Sequence, residues 1–241
     1  MARKDIPVMK TIGVLGGMGP QATTDFVDRL HRAANKLLIP KFVNSGYPPL
    51  WVVYHRTAPM ALTQEDTIAE PLRPHPKLLE LARELGSRAD FLVIPCNTAH
   101  LFVREIEEAA RKPLLSIVDV AMQRITEVLP HRIGILAVGE TLKGRLYQDR
   151  LEEQKIDWMI IPEEMTQHLD DAIYNFMEGG NPERLWDPFE GASNHLLRQG
   201  CDRVLLGCTE LPLILEGRAD HSPYINPNQL LAEAAIRYAL T

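Results

Sequence analysis

Short, continuously apolar segments recur along this 241-residue chain, and the first of them stops at a pair of glycines. Their apolar residues do not alternate with polar ones, which is typical of strands buried on both faces of a parallel sheet. Helical patterns lie between them, so the sequence predicts an α/β fold with right-handed crossovers. The predicted strands are Thr11–Gly16, Trp51–Tyr54, Phe91–Ile94, Leu114–Ile117, Ile133–Val138 and Val204–Leu206.

The segments between these strands repeat apolar residues at helical spacing. Pro20 suits the first turn of a helix, and Gly86 suits the position just after the last turn of another. The predicted helices span residues 20–38, 76–85, 98–111, 118–129, 141–154, 163–178 and 184–199.

Two parts of the chain resemble each other. The segment Arg88–Thr98 can be laid on Gly200–Glu210, because each has a small residue, an Asp, an apolar strand and then Cys. A second similarity links Ile12–Leu15 to Ile133–Leu136, in the same order along the chain. These similarities favour two related halves; chance resemblance between buried strands is the alternative.

Charge and cysteine content limit the class of protein. The net charge is −6 without a basic block, which argues against nucleic acid as a partner. Cysteine occurs only at Cys96, Cys201 and Cys208, a usage that suits a reducing cytoplasm better than a secreted disulfide framework. No apolar run approaches the roughly 20 residues that span a membrane. We therefore expect a soluble cytoplasmic protein that binds no membrane.

Cys96 and Cys208 each follow a predicted parallel strand, at the sheet edge where open α/β sheets bind ligands. Two halves that face each other would present these thiols to opposite sides of a bound molecule. Inversion of a stereocentre by proton transfer needs a base on one face of the carbon and an acid on the other, and two thiols can exchange these roles. Cys201, in the approach to the later strand, is predicted to be structural.

Polar residues stand beside both cysteines: Asn97, Thr98, Thr209 and Glu210. We predict that they bind substrate, with backbone N–H groups at these turns holding an α-carboxylate. Glu210 is a candidate to receive an ammonium group or to position a thiol proton. Helix capping is the alternative role for the two threonines.

The turn Gly16–Ala22 contains a G-x-G-x-x-A match that resembles a dinucleotide-binding loop. No acidic ribose partner follows the next strand, so a small anion at this helix start is the better interpretation. Gly17 and Met18 are accordingly predicted to bind substrate. The spacing of His, Cys, Asp and Glu suggests no metal site, and no lysine motif argues for pyridoxal phosphate. We expect neither metal nor cofactor.

Three motifs together resemble the aspartate/glutamate racemase superfamily: Gly16-Gly17-Met18-Gly19-Pro20, Pro95-Cys96-Asn97-Thr98-Ala99-His100 and Gly207-Cys208-Thr209-Glu210-Leu211. The first motif, and Glu210 in the third, are similar to the aspartate racemase branch. The resemblance implies two pseudo-symmetric α/β domains, each a mostly parallel sheet flanked by helices, with the active site in the cleft between them. It also implies cofactor-independent racemisation of a small amino acid by Cys96 and Cys208, and a homodimer. The implied domains are residues 9–117 with 225–241, and residues 118–224.

One feature departs from that family pattern. Aspartate-specific members hold the side-chain carboxylate with an Arg after the second strand and a Lys in the second half. Leu62 stands near the Arg position here, and Gln167-His168 occupy the neighbourhood of the Lys. Arg56, earlier in the same loop, is the predicted substrate-binding cation. Aspartate or glutamate is the expected substrate, with a broader range left open. The alternatives are another two-cysteine isomerase, acting on a small carboxylate or hydantoin, and a catalytically silent binding protein.

Overall fold

A computed structural model describes residues 8–37, 47–65, 67–215, 218 and 220–241. Its strands are β1 (Ile12–Gly16), β2 (Leu50–Tyr54), β3 (Phe91–Val93), β4 (Leu114–Leu115), β5 (Arg132–Leu136), β6 (Asp157–Ile160), β7 (Arg203–Leu206) and β8 (Tyr224–Ile225). Its α-helices are α1 (Pro20–Leu37), α2 (Pro76–Gly86), α3 (Val103–Ala110), α4 (Ile117–Val128), α5 (Gly139–Lys143), α6 (Gln148–Glu153), α7 (Glu163–Met177), α8 (Glu183–Arg198), α9 (Leu211–Leu215) and α10 (Pro227–Ala239). Residue 38, where the first predicted helix ends, lies outside the described residues.

The chain divides into two units. The first contains Met1–Pro95, Phe102–Ile117 and Asn228–Thr241, and the second contains Cys96–Leu101 and Val118–Pro227. Each unit is built on its own four-stranded sheet. We describe the two units separately.

The sheet of the first unit is parallel, with strand order β2-β1-β3-β4. All residues of β1 are buried, since it pairs with β2 on one side and β3 on the other. Helix α1 follows β1 and buries one apolar stripe that includes Phe26, Leu30 and Ala34, at the spacing of an amphipathic helix. The predicted parallel α/β sheet is therefore confirmed in this unit.

The sheet of the second unit repeats this arrangement, with parallel strands in the order β6-β5-β7-β8. The two internal similarities fall on equivalent strands, because β5 takes the place of β1 and β7 takes the place of β3. The predicted fold of two similar α/β halves is thus confirmed. Strands β6 and β8 were missed because β6 is partly exposed rather than continuously buried, and β8 has only two residues.

Two predicted helices differ from the structure. The segment 98–111 is a 3-10 turn, Thr98–Phe102, followed by α3. The segment 141–154 is divided into α5 and α6, with Arg145 at a positive φ of 51° between them. Gly144, just before this break, lies close to Leu101, since an added Cβ would lie 2.5 Å from Leu101 Cδ2.

Helix α10 completes the first unit at the end of the chain. The Asn228 side-chain amide donates to the Asp25 carboxylate at 3.0 Å, and the Arg29 guanidinium donates to the Gln229 side-chain carbonyl at 2.9 Å. These bonds join α1 to α10 and explain why the C-terminal residues pack with the first unit. Within the described residues, no helix combines the length and apolar character that a membrane crossing requires.

Candidate active site

The two cysteines at matching positions of the internal similarity, Cys96 and Cys208, follow the equivalent strands β3 and β7. Both are buried, with 6% and 7% of their surface exposed. Although the sequence-based boundaries assign Cys96 to the first domain, the segment Cys96–Leu101 packs with the second unit. Both thiols therefore belong to the same unit.

Side-chain hydrogen bonds hold the Cys96–Leu101 segment against the second unit. The hydroxyls of Thr98 and Thr141 lie 2.8 Å apart, and the Tyr147 hydroxyl donates to Asn97 Oδ1 at 2.5 Å. Within the segment, His100 Nδ1 donates to the Cys96 carbonyl at 2.8 Å. These buried bonds fix the backbone around the Cys96 sulfur.

The surroundings of Cys208 are different, because a carboxylate contacts its sulfur. Cys208 Sγ donates to Glu210 Oε2 at 3.0 Å, and the Thr209 hydroxyl donates to the same oxygen at 3.3 Å. All three side chains are buried. The predicted residues Cys208, Thr209 and Glu210 thus form one hydrogen-bonded group.

Burial dominates the acidity of both thiols. It raises the pKa of Cys96 to about 12, although the N–H groups of Ala99 and Thr98 donate to the sulfur and oppose the rise. Burial, and then the charge of Glu210, raise the pKa of Cys208 well above its usual value, and a charge on Cys96 raises it further. The two sulfurs therefore interact electrostatically, and burial makes each thiol harder to ionise than a free cysteine.

Other titratable groups of the same unit also have shifted pKa values. Burial lowers the pKa of His100 to about 4, so this imidazole is neutral at physiological pH. Burial raises the pKa of Asp170 to about 6, while its Oδ2 accepts the Gly139 N–H at 2.9 Å. The Tyr174 hydroxyl donates to Glu140 at 2.9 Å, and burial, Glu140 and the Cys208 sulfur all raise its pKa.

Three predicted substrate-binding residues belong to the first unit. Gly17 has a φ of 101°, and a Cβ at this position would lie 2.2 Å from the His55 carbonyl oxygen, so only glycine fits the turn. Met18 is buried. Arg56 is exposed and forms no ion pair or hydrogen bond with another described residue, which leaves its guanidinium available to an anion.

Comparison with known proteins identifies the family of this chain. The sequence profile described as Asp/Glu/hydantoin racemase matches residues 15–235. The chain belongs to this family. The predicted family and the predicted racemase class are therefore confirmed.

This racemase-family chain is 25% identical over 242 residues to the broad specificity amino-acid racemase RacX of Bacillus subtilis (strain 168), covering 93% of this chain and 96% of that protein. It is 32% identical over 140 residues to an uncharacterized protein in the pnlA 3′ region of Pectobacterium carotovorum subsp. carotovorum, covering 57% of this chain and 92% of that one. The aspartate racemase of Picrophilus torridus has a similar fold, with a TM-score of 0.78 at 21% identity; 95% of this chain and 94% of that chain are covered.

Neither Arg nor Lys stands at the positions where this racemase-family chain departs from the aspartate-specific pattern. Leu62 is partly exposed and pairs with Ile68 through a short antiparallel bridge. Gln167 and His168 are exposed on α7. In the described part of the chain, no group of three His, Cys, Asp or Glu side chains is arranged to hold a metal ion.

Sequence reasoning missed two residues that contact the candidate site, Thr141 and Tyr147. Both lie in the segment predicted as one helix, and both are fully or almost fully buried. Helical spacing alone gives no reason to assign either hydroxyl to Thr98 or Asn97. A buried Tyr usually needs a hydrogen-bond partner, which is the one general indication that Tyr147 has a polar role.

Proposed function

We propose that this chain racemises a free amino acid, with aspartate or glutamate as the expected substrate, by proton transfer at Cα between Cys96 and Cys208. The proposal includes no cofactor. The observation that carries it is the equivalent placement of two buried thiols, after β3 and β7, within one unit. Their electrostatic interaction is a second support.

In the proposed reaction, one cysteine acts as a thiolate and removes the Cα proton from one face of the substrate. The other cysteine acts as a thiol and donates its proton to the opposite face, so one proton leaves the substrate and one returns. The two residues finish with their protonation states exchanged, and the opposite enantiomer is processed in the reverse direction.

The surroundings of the thiols favour different starting states. Two backbone N–H groups, from Ala99 and Thr98, stabilise a negative charge on the Cys96 sulfur. Glu210 instead accepts a hydrogen bond from the Cys208 thiol, and its charge disfavours ionisation of Cys208. We therefore expect Cys96 to ionise more readily than Cys208, and so to act first as the base, with Cys208 as the acid. Fixed donors in a dry site would also stabilise the carbanion that forms at Cα.

The residues proposed to bind the substrate are those predicted from the sequence. In the second unit, Asn97, Thr98, Thr209 and Glu210 offer amide, hydroxyl and carboxylate groups beside the sulfurs. In the first unit, Gly17, Met18 and Arg56 stay predicted substrate-binding residues. The proposed role of Arg56 is to pair with a side-chain carboxylate in place of the family's Arg and Lys, since its guanidinium has no partner among the described residues.

The test is incubation of the purified protein, without added cofactor, with L- and D-amino acids that include aspartate and glutamate, in D₂O. Chiral chromatography measures inversion, and mass spectrometry measures deuterium at Cα. Inversion of aspartate or glutamate with one deuterium incorporated supports the proposal. Inversion of other amino acids alone would support the thiol mechanism, and those amino acids would take the place of aspartate and glutamate as the proposed substrates. No inversion of any amino acid would contradict the proposal.

We further propose that the protein acts in the cytoplasm as a homodimer. Sparse cysteine usage supports the compartment, and the family resemblance supports the assembly. Sedimentation velocity at several protein concentrations tests the second point. A mass twice that of the 27.2 kDa chain is expected, and a monomer at all concentrations would contradict it.

A further inference from the structure

Tyr147 is a buried residue outside the motifs that carry the two cysteines. We propose that Tyr147 is a positioning residue, which fixes the Asn97 amide so that both N–H bonds of Asn97 Nδ2 remain available to a carboxylate of the substrate. This inference rests on the proposed function, because it gives Asn97 a role in holding the amino acid beside Cys96.

The hydrogen bond between the two residues sets the orientation of the amide. Tyr147 has 0% of its surface exposed, and its hydroxyl donates to Asn97 Oδ1 at 2.5 Å. Burial also raises the pKa of Tyr147, so the hydroxyl keeps its proton and stays a donor. A donor at this place selects the carbonyl oxygen of the amide and turns the Nδ2 group away from the tyrosine.

The other end of the amide lacks a partner. Asn97 is 3% exposed, and Asn97 Nδ2 is buried without a hydrogen-bond partner among the described residues. An unsatisfied buried donor is costly, and such groups are uncommon in folded proteins unless a ligand or water completes them. Because Nδ2 carries two donors and no acceptor, its natural complement is an anionic oxygen.

The position of Tyr147 depends on the break between α5 and α6. The chain leaves the helical path at Gly144 and Arg145, and Tyr147 precedes the first residue of α6. The ring also lies beside the cysteine loop of β7, since a Cβ on Gly207 would contact Tyr147 Cε2 at 3.6 Å. Tyr147 thus bonds the residue that follows Cys96 and lies beside the residue that precedes Cys208.

A role in packing alone would require only the aromatic ring, so removal of the hydroxyl separates the two possibilities. We expect Tyr147→Phe to raise KM for the substrate about tenfold with a smaller change in kcat, since the orientation of a ground-state contact is lost. The matched control is Tyr224→Phe, which removes a hydroxyl that bonds the Ser193 hydroxyl at 2.9 Å in the same unit. This control should leave KM unchanged.

A double variant tests whether Tyr147 acts through Asn97. In an Asn97→Ala background, Tyr147→Phe should have no further effect on KM. Asn97→Asp supplies a second approach if Tyr147→Phe does not fold, because it keeps an acceptor for the tyrosine and removes the Nδ2 donors; KM should rise similarly. Equal effects of Tyr147→Phe with and without Asn97, or an unchanged KM in Asn97→Asp, would overturn the inference.

Alkylation of Cys96 gives a readout that does not need turnover. Iodoacetate carries a carboxylate and iodoacetamide does not, so the ratio of their rates at Cys96 reports on carboxylate binding beside the thiol. We expect this ratio to fall several-fold in Tyr147→Phe and to stay constant in Tyr224→Phe. If the wild type inverts no amino acid but the ratio still falls in Tyr147→Phe, only the proposed function is refuted. Inversion with neither KM nor the ratio changed would refute the inference alone.

Discussion

Replacement of Glu210 by glutamine is expected to lower the pKa of both thiols, and that of Cys208 by more than that of Cys96. The Glu210 carboxylate accepts a hydrogen bond directly from the Cys208 thiol, and its charge raises the pKa of both thiols. Glutamine keeps the shape of the side chain and removes the charge, so each thiolate becomes easier to form.

The change in the pKa of Cys208 has an upper limit that follows from the distance between its sulfur and the Glu210 carboxylate. Two unit charges separated by the 3.0 Å between Cys208 Sγ and Glu210 Oε2 interact by about 5 kcal/mol at an effective dielectric constant of about 20. That energy corresponds to about four pKa units, which is an upper figure because the charge is shared by two carboxylate oxygens. We expect the pKa of Cys208 to fall by about one to two units and that of Cys96 to fall by less.

The assay is the rate of iodoacetamide alkylation at each cysteine, followed by peptide mass spectrometry between about pH 7 and pH 11, where a thiolate fraction rises. At a fixed pH below the thiol pKa values, Cys208 of Glu210→Gln should react at least about tenfold faster than in the wild type. Glu190→Gln, at an exposed position of α8, is the control. Unchanged or slower alkylation of Cys208, or a larger gain at Cys96, would refute the reasoning.

Two further variants test pH-dependent stability. Asp170→Asn should stabilise the protein by about 1 kcal/mol near pH 7, after allowance for solvent screening, and not near pH 4, because a pKa raised to about 6 makes ionisation of the native carboxyl unfavourable. Equal changes in melting temperature at both pH values would contradict this. His100→Asn should flatten the stability loss as pH falls from about 6.5 to 4, since the unfolded chain takes up the imidazole proton first. Chemical denaturation measures this loss, and parallel curves for the two proteins would count against it.

The central strands could be predicted because their apolar residues are continuous in sequence. β1, β3, β5 and β7 lie inside the two sheets, and burial on both faces leaves no polar positions to obscure the pattern. The edge strands differ from one another: β2 and β4 lie in apolar runs and could be predicted, whereas β6 begins with a charged residue and is partly exposed, and β8 has only two residues. The break between α5 and α6 lies where Gly144 approaches Leu101, a tertiary contact that helical spacing does not contain.

In the candidate site, residues next to the cysteines in sequence could be predicted, and residues that only the fold brings near could not. Asn97, Thr98, Thr209 and Glu210 could be proposed because each is within two residues of a cysteine. Thr141 and Tyr147 contact Thr98 and Asn97 across 43 and 50 residues of sequence, and only the fold brings these pairs together. The acidity of the thiols was also beyond the sequence, because burial outweighs the backbone N–H groups that stabilise a thiolate.

Racemisation by single-cysteine variants tests the two-thiol account most directly. Cys96→Ala, Cys208→Ala and the control Cys201→Ala would be compared with the wild type by chiral chromatography on the best amino-acid substrate, with circular dichroism to verify folding. Cys201 is buried in the approach to β7 and has no proposed part in the reaction. The account predicts that Cys96→Ala and Cys208→Ala each abolish racemisation while Cys201→Ala retains it. Full turnover by folded Cys96→Ala or Cys208→Ala would contradict it.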